Sequence, residues 1–226
     1  GYGTRLSERT DAIPKPMVEI GGRPILWHIM KIYSHYGVND FVICCGYKQQ
    51  VIKDYFANFF LYNSDVTLDL SNNSMEIHNS TSENWRVTLV DTGLDTFTGG
   101  RLKRVQPYVG HERFFLTYGD GVADINIEDT LTAHIEAGKK LSMTVYQPQG
   151  KLGVVDIDDT GDVKGFIEKP RSGGNWINAG FFVCEPEVFD VLEGDHEMFE
   201  QEPTQKLVAE NEVHAFKHFG FWPPMD

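Results

Sequence analysis

Hydrophobic positions near the start of the chain follow two different spacings in turn. Helical spacing marks a first segment through Ile25, Leu26, Ile29, Met30 and Tyr33. The short apolar run from Phe41 to Cys45 is typical of a strand buried on both faces, and a second amphipathic helix follows over residues 51–60. This alternation predicts an α/β fold with a Rossmann-like, mixed and mostly parallel sheet between layers of helices.

The pattern changes over residues 63–91, where strand-like segments follow one another without a helix between them. Residues 66–70 and 75–78 flank a Ser71–Ser74 turn whose polar residues favour a tight reversal. We therefore expect a small antiparallel excursion within a single domain that spans residues 1–226.

Alternating patterns resume after this excursion. Strands are predicted at residues 114–118 and 141–146, with a helix at 127–137 between them. The remaining predicted elements are a hairpin at 153–167, a strand at 176–183, helices near 186–192 and 204–209, and a strand at 213–216.

Composition narrows the classes of function. The net charge of −13 argues against general nucleic-acid binding and requires any phosphate site to be a local basic pocket, helped by a divalent cation. No apolar run approaches the length of a membrane helix. The three cysteines lie in apolar runs without paired spacing, which favours reduced thiols in a cytoplasmic protein. The opening turn lacks the strand that normally precedes such a turn and the chain ends abruptly, so we expect both termini to be incomplete.

The opening residues form a candidate phosphate site. Gly1 and Gly3 allow a turn whose backbone N–H groups face one anion, while Thr4 and Arg5 add a hydroxyl and a charged fork. Lys15 lies between two prolines that restrict its backbone. The segment lacks the Gly-Lys-Ser/Thr of nucleoside-triphosphatase loops and the third glycine of the dinucleotide fingerprint, so it belongs to neither motif.

Further along, glycines flank charged residues at predicted element ends. Thr98-Gly99-Gly100-Arg101 begins a helix, whose N-terminus attracts anions and offers N–H groups to a base edge; Arg101 is a candidate ligand contact. Gly119-Asp120-Gly121 follows a buried strand, where ligands bind in open α/β sheets. Because Mg²⁺ takes one or two carboxylates plus substrate phosphates, Asp120 is a candidate metal ligand.

A last group of candidates suits a sugar phosphate. Glu168 can hold sugar hydroxyls, and Lys169, fixed by the following proline, can pair with a phosphate. Asn178 offers a donor and an acceptor where Gly180 leaves room. An exposed ion pair is the alternative interpretation of Glu168 and Lys169.

Taken in chain order, these motifs resemble the sugar-1-phosphate nucleotidylyltransferases, and within them the cytidylyltransferases that act on glucose 1-phosphate. The closer match rests on residues 41–48, 55–58 and 87–93 and on the terminal Gly220-Phe221-Trp222-x-Pro-Met-Asp226. The resemblance covers essentially the whole chain. It departs from the family where the opening strand and the C-terminal tail would lie.

This resemblance implies that CTP and α-D-glucose 1-phosphate react to give CDP-glucose and pyrophosphate, with Mg²⁺ as cofactor, usually in a homo-oligomer. It assigns Arg5 and Lys15 to the triphosphate as catalytic residues, and Asp120 and Asp226 to Mg²⁺. Thr98, Gly99 and Gly100 would meet the base and ribose; Lys169 would bind the sugar phosphate, with Glu168, Asn178 and Gly180 around the sugar. The same chemistry with UTP or dTTP, and a catalytically silent relative that only binds a sugar nucleotide, remain open alternatives.

Overall fold

The computed structural model describes residues 13–148, 154–157, 159–160, 162–167 and 175–223. Its first part contains a short 3-10 helix at Lys15–Met17 and then these helices and strands: β1 (Glu19–Ile20), β2 (Arg23–Pro24), α1 (Ile25–His35), β3 (Asp40–Cys45), α2 (Gln49–Ala57), α3 (Phe59–Tyr62), β4 (Ser64–Asp69), β5 (Ser74–Ser80) and β6 (Arg86–Asp91). The predicted helix at 51–60 is therefore divided in two, at Asn58.

The second part follows the predicted order closely. It contains α4 (Thr98–Val109), β7 (Phe114–Thr117), α5 (Ile127–Ala137), β8 (Leu141–Tyr146), β9 (Val154–Ile157), β10 (Val163–Ile167), β11 (Ile177–Cys184), a 3-10 helix at Pro186–Val191, α6 (Glu202–Ala209) and β12 (Val213–His218). No helix among these described residues is long and apolar enough to cross a membrane.

The central strands confirm a mixed α/β architecture. β3 pairs with β6 in parallel, and a four-stranded sheet has the order β12-β8-β11-β7. In that sheet β8 and β12 are parallel, whereas β11 runs antiparallel to both β7 and β8. Antiparallel pairing is thus more extensive in the described residues than the alternation of strands and helices suggested.

Helices cover the region where β3 and β7 face each other. An apolar cavity of about 430 Å³ lies between these strands, lined by Leu26 and Ile29 of α1 and by Leu102 and Val105 of α4. All four of these side chains are at least nine-tenths buried. The carboxyl ends of both strands consequently open towards the same region of the molecule.

The predicted antiparallel excursion is a hairpin formed by β4 and β5. Its register pairs Val66 with Ile77 and Leu68 with Met75, so these side chains share one face. Leu68, Met75 and Ile77 are 56%, 50% and 44% exposed, respectively. The hairpin therefore presents an uncovered apolar face.

Candidate active site

Lys15 is held by a rigid local backbone. Proline rings restrict φ on both sides of it, and the N–H of Met17 donates to the carbonyl of Pro14 at 2.8 Å. The buried Met17 anchors this turn in the core. The Lys15 side chain is only 12% exposed, and its Nζ lies 3.0 Å from Oδ2 of Asp120. The sequence thus places a cation and a carboxylate in contact across more than a hundred residues.

Asp120 reaches this position because Gly119 lets two segments approach. A Cβ on Gly119 would lie 3.0 Å from Cγ of Pro16, closer than nearly all contacts of real side chains. The Asp120 side chain is 39% exposed, so its carboxylate contacts Lys15 and still faces solvent. This leaves a hard oxygen ligand within reach of an incoming metal–phosphate complex.

Asn178 and Gly180 lie beside the end of β7. Gly180 has φ +81°, a conformation that favours glycine, and a Cβ there would lie 2.7 Å from the Tyr118 ring. The N–H of Tyr118 donates to the Gly180 carbonyl at 3.1 Å, and Asn178 Nδ2 donates to Tyr118 Oη at 3.1 Å. The expected sugar residues therefore adjoin the segment that carries Asp120.

The C-terminal part of the chain is fixed next to this group. Trp222 Nε1 donates to the carbonyl of Ala179 at 2.9 Å. A Cβ on Gly121 would be 3.8 Å from the same carbonyl oxygen. The described chain thus runs past the Asp120 loop four residues before Asp226, which itself lies outside the described residues.

The glycines at the start of α4 pack against the loop that precedes α6. The N–H of Gly99 donates to the carbonyl of Glu197 at 3.0 Å. A Cβ on Gly100 would lie 2.5 Å from Cα of Asp195. These glycines allow a loop to pack closely on the helix, and the contact of Thr98, Gly99 and Gly100 with base and ribose remains a prediction.

Arg101 lies at the carboxyl ends of β3 and β6. Its Nη1 donates to Thr92 Oγ1 at 2.7 Å and its Nη2 to the carbonyl of Leu94 at 3.1 Å. These bonds hold the guanidinium at the rim of the cavity described below. Its role as a ligand contact stays a prediction.

Lys103 and Arg104, the next two cations of α4, contact the loop that precedes α6. Lys103 donates to the carbonyls of Leu192 and Glu193, at 2.6 and 2.9 Å. Arg104 forms a two-pronged pair with Asp195, which holds the pKa of that carboxyl below its usual value. Both side chains fasten the loop after β11 onto α4.

A cavity of about 310 Å³ opens where these segments converge, at the carboxyl ends of β3 and β7. It is the position where open α/β sheets bind ligands. Sequence analysis missed several of its lining residues, although Tyr47 and Tyr118 each end or follow a predicted strand. The polar and small lining residues are Pro14, Pro16, Cys44, Gly46, Tyr47, Thr98, Arg101, Thr117, Tyr118, Gly119 and Glu200.

Several predicted residues cannot be placed. Those outside the described residues are Gly1, Gly3, Thr4, Arg5, Glu168, Lys169 and Asp226. Within the described ranges, no group of three or more His, Cys, Asp or Glu side chains is arranged to hold a metal. Any metal site at Asp120 would therefore need a ligand from elsewhere, such as substrate phosphate.

Comparison with known proteins identifies the family of this chain. The family model described as nucleotidyl transferase matches residues 1–223. The chain belongs to the nucleotidyl transferase family. Two relatives in the family, the glucose-1-phosphate cytidylyltransferases of Salmonella typhi and Salmonella typhimurium (strain LT2), are each 56% identical over 227 residues, which cover 100% of this chain and 88% of each relative.

A solved structure with a similar fold is the UDP-glucose pyrophosphorylase from Acinetobacter baumanii. It superposes with a TM-score of 0.70 at 18% identity, covering 100% of this chain and 85% of that one. At this identity the likeness concerns the fold alone. It confirms the α/β architecture of this nucleotidyl transferase.

Proposed function

We propose that this nucleotidyltransferase transfers a cytidylyl group from CTP to α-D-glucose 1-phosphate, giving CDP-glucose and pyrophosphate. The identity to the Salmonella cytidylyltransferases supports the choice of substrates. The observation that carries the chemistry is the Lys15 ammonium, 3.0 Å from Asp120, in a turn whose flanking residues Pro14 and Pro16 line the cavity at the strand ends.

The reaction needs charge neutralisation rather than a base. The attacking oxygen belongs to the sugar phosphate, which is largely ionised near neutral pH because its second pKa is about 6. It bonds to the α-phosphorus of CTP as the bond to the bridging oxygen of pyrophosphate breaks. The protein must therefore bring two anions into line and neutralise the leaving group, which is the work of a fixed cation such as Lys15.

Asp120 suits a magnesium ion that arrives with the triphosphate. Its carboxylate is partly exposed and lies between two glycines. Carboxylate oxygens are ligands that Mg²⁺ prefers. When bound, Mg²⁺ would neutralise phosphate charge next to Lys15. Asp226 is proposed as its second protein ligand.

The remaining predicted residues are assigned to the triphosphate, the nucleoside, the sugar phosphate and the sugar in turn. Gly1, Gly3, Thr4 and Arg5 would hold the triphosphate, and Thr98, Gly99, Gly100 and Arg101 would contact the nucleoside. Glu168 and Lys169 would bind the sugar phosphate. Asn178 and Gly180, next to Tyr118, would line the sugar.

Pyrophosphate release tests the proposal. The chain is incubated with glucose 1-phosphate, Mg²⁺ and one of CTP, UTP or dTTP, and pyrophosphate is measured by a coupled assay. We expect CTP to exceed the other two by at least about tenfold in kcat/KM. Preference for UTP or dTTP would contradict the choice of base, and no release with any of them would indicate a silent binding protein.

We also propose that the protein is a cytoplasmic homo-oligomer with small-molecule substrates and with neither nucleic acid nor membrane as partner. Its thiols, Cys44, Cys45 and Cys184, are unpaired, as expected in a reducing compartment. The uncovered apolar face of the β4–β5 hairpin supports self-association.

A further inference from the structure

Glu200 joins two segments of the cavity wall. Its Oε2 accepts a hydrogen bond from Thr98 Oγ1 at 2.8 Å, and its Oε1 accepts one from Tyr118 Oη at 2.5 Å. The N–H of Phe199 in turn donates to Thr98 Oγ1 at 2.9 Å. One carboxylate thus ties the first residue of α4 to the residue after β7, and both lie on the same cavity.

Tyr118 extends this connection to a third segment. Its hydroxyl accepts from Asn178 Nδ2 at 3.1 Å while donating to Glu200. Burial raises the pKa of Tyr118, and the hydrogen bond to Glu200 raises it further, so the phenol keeps its proton and remains a donor. The order of donors is therefore fixed from Asn178 through Tyr118 to Glu200.

The joined segments carry residues assigned to different parts of the substrates. Thr98 is expected at the base and ribose, Asn178 at the sugar, and Tyr118 is two residues before Asp120. A change in the position of any one of them would alter the distance between the sugar phosphate and the α-phosphorus. A misplacement of about 1 Å can cost about 100-fold in rate.

We propose that Glu200 is a positioning residue, which acts through Thr98 and Tyr118 to hold the nucleotide and sugar sides of the site in register. This inference rests on the proposed function. The bridge Thr98–Glu200–Tyr118–Asn178 requires a carboxylate, because two hydroxyl donors converge on it. A glutamine offers one acceptor oxygen and turns an NH₂ group towards the other donor.

The experiment is a double-mutant cycle with Glu200→Gln and Tyr118→Phe. Glu200→Gln leaves one acceptor oxygen where two hydroxyls converge, and Tyr118→Phe removes one of these donors, so both variants disrupt the same bridge and keep the size of the side chain. We expect each substitution to lower kcat by about 10- to 100-fold. The kcat of the double variant should lie within about threefold of the kcat of the less active single variant. Glu202→Gln is the matched control, because Glu202 lies only two residues after Glu200, at the start of α6, and pairs with Lys206.

Thermal unfolding separates positioning from folding. We expect Tm of Glu200→Gln to stay within about 4 °C of the wild type, so that rate and stability change independently. The inference is overturned if Glu200→Gln keeps kcat within twofold, if the two substitutions add fully, or if the loss of rate follows the loss of Tm.

Failure of the proposed function would be visible in the wild type, which would then release no pyrophosphate. In that case CTP binding by calorimetry replaces turnover. The bridge predicts that Glu200→Gln and Tyr118→Phe raise the Kd for CTP by about threefold or more, with no further rise in the double variant. Unchanged binding in both would overturn it.

Discussion

A lysine ammonium held against a carboxylate by a rigid turn is the residue-scale feature on which the proposed mechanism depends. Pro14 and Pro16 restrict the backbone, so little entropy is lost when Lys15 contacts a phosphate. Asp120 holds the ammonium in place before substrate binds. In the proposed reaction the substrate phosphates bind this ammonium without a large rearrangement of Lys15.

Lys15→Ala should lower kcat by at least about 100-fold, because it removes a fixed positive charge from the leaving group. Folding should survive, since the buried Met17 and both prolines remain. Pyrophosphate release and circular dichroism measure the two effects. Lys31→Ala, which removes an outer lysine paired with Glu83, is the control, and near-normal turnover in Lys15→Ala would refute its role.

Asp120→Asn should raise the Mg²⁺ concentration needed for half-maximal activity by at least about tenfold, because an amide oxygen is a weaker ligand than a carboxylate. The measurement is a magnesium titration of pyrophosphate release at saturating substrates. Asp40→Asn, at an exposed pair with Arg86, serves as the control. An unchanged titration curve would exclude Asp120 as a metal ligand.

His134 should make stability depend on pH. It is fully buried, with Nδ1 2.7 Å from Ser142 Oγ and Nε2 3.0 Å from Glu185 Oε1. Burial lowers its pKa despite Glu185, which acts in the opposite direction. The unfolded chain therefore binds a proton, near pH 6.5, that the folded chain takes up only at lower pH.

The free energy of unfolding should thus fall as the pH drops below about 6.5, and no loss from this group is expected above that value. Urea unfolding at pH 7.5 and 5.5 measures it. We expect a smaller difference between the two pH values in His134→Gln than in the wild type, and an unaltered one in the exposed control His111→Gln. Equal differences in all three would contradict the prediction.

Individual residues of the site were predictable where one short motif limits both backbone and chemistry. The Pro-Lys-Pro turn and the Gly-Asp-Gly turn are such cases. The structure places Nζ of Lys15 3.0 Å from Oδ2 of Asp120. The role of Gly99 and Gly100 was not predictable in the same way. Their neighbours are Glu197 and Asp195, about a hundred positions away, and no local pattern indicates that packing.

At the scale of elements, an irregularity in the pairing of β11 with β8 lies beside Tyr118. Gly180 is in a left-handed conformation, and the register of β11 with β8 is irregular between Asn178 and Phe182. This irregularity directs Asn178 towards Tyr118 while Phe182 continues into the core. Position 180 requires a glycine, because its φ is positive and because a Cβ there would meet the Tyr118 ring.

Gly180→Ala should destabilise the fold by about 1–3 kcal/mol, because φ +81° is strained for alanine and the new Cβ meets the Tyr118 ring. Activity should fall as well, since Tyr118 must move. Chemical denaturation and pyrophosphate release measure the two. Gly194→Ala, where a Cβ meets no atom within 4 Å, is the control, and an equally stable Gly180→Ala would contradict the steric argument.

Helix and strand positions were largely predictable, because the spacing of hydrophobic residues and the presence of turn residues can be read from a short stretch of sequence. The bounds of α5 and β8 are as predicted. Strand order and direction were not predictable to the same degree. The antiparallel placement of β11 depends on its partners β7 and β8, which are distant in sequence.

For the whole molecule, charge and apolar surface have to be considered together. Two copies with a net charge of −13 repel each other, which favours association through a surface that carries little charge. The apolar face of the β4–β5 hairpin is such a surface, formed by Val66, Leu68, Met75 and Ile77. A two-stranded hairpin is marginally stable alone, and it gains stability when this face is covered.

Leu68→Lys should therefore shift the protein towards the monomer, because it places a charge in the centre of the proposed contact. Sedimentation velocity at micromolar concentration measures the change. Thr67→Lys is the matched control, since it adds the same charge at the adjacent position on the opposite, polar face, where Thr67 bonds His78. Added salt should strengthen the wild-type assembly by screening the repulsion between copies. A monomeric wild type, or equal effects of the two lysines, would show that this face is not the contact.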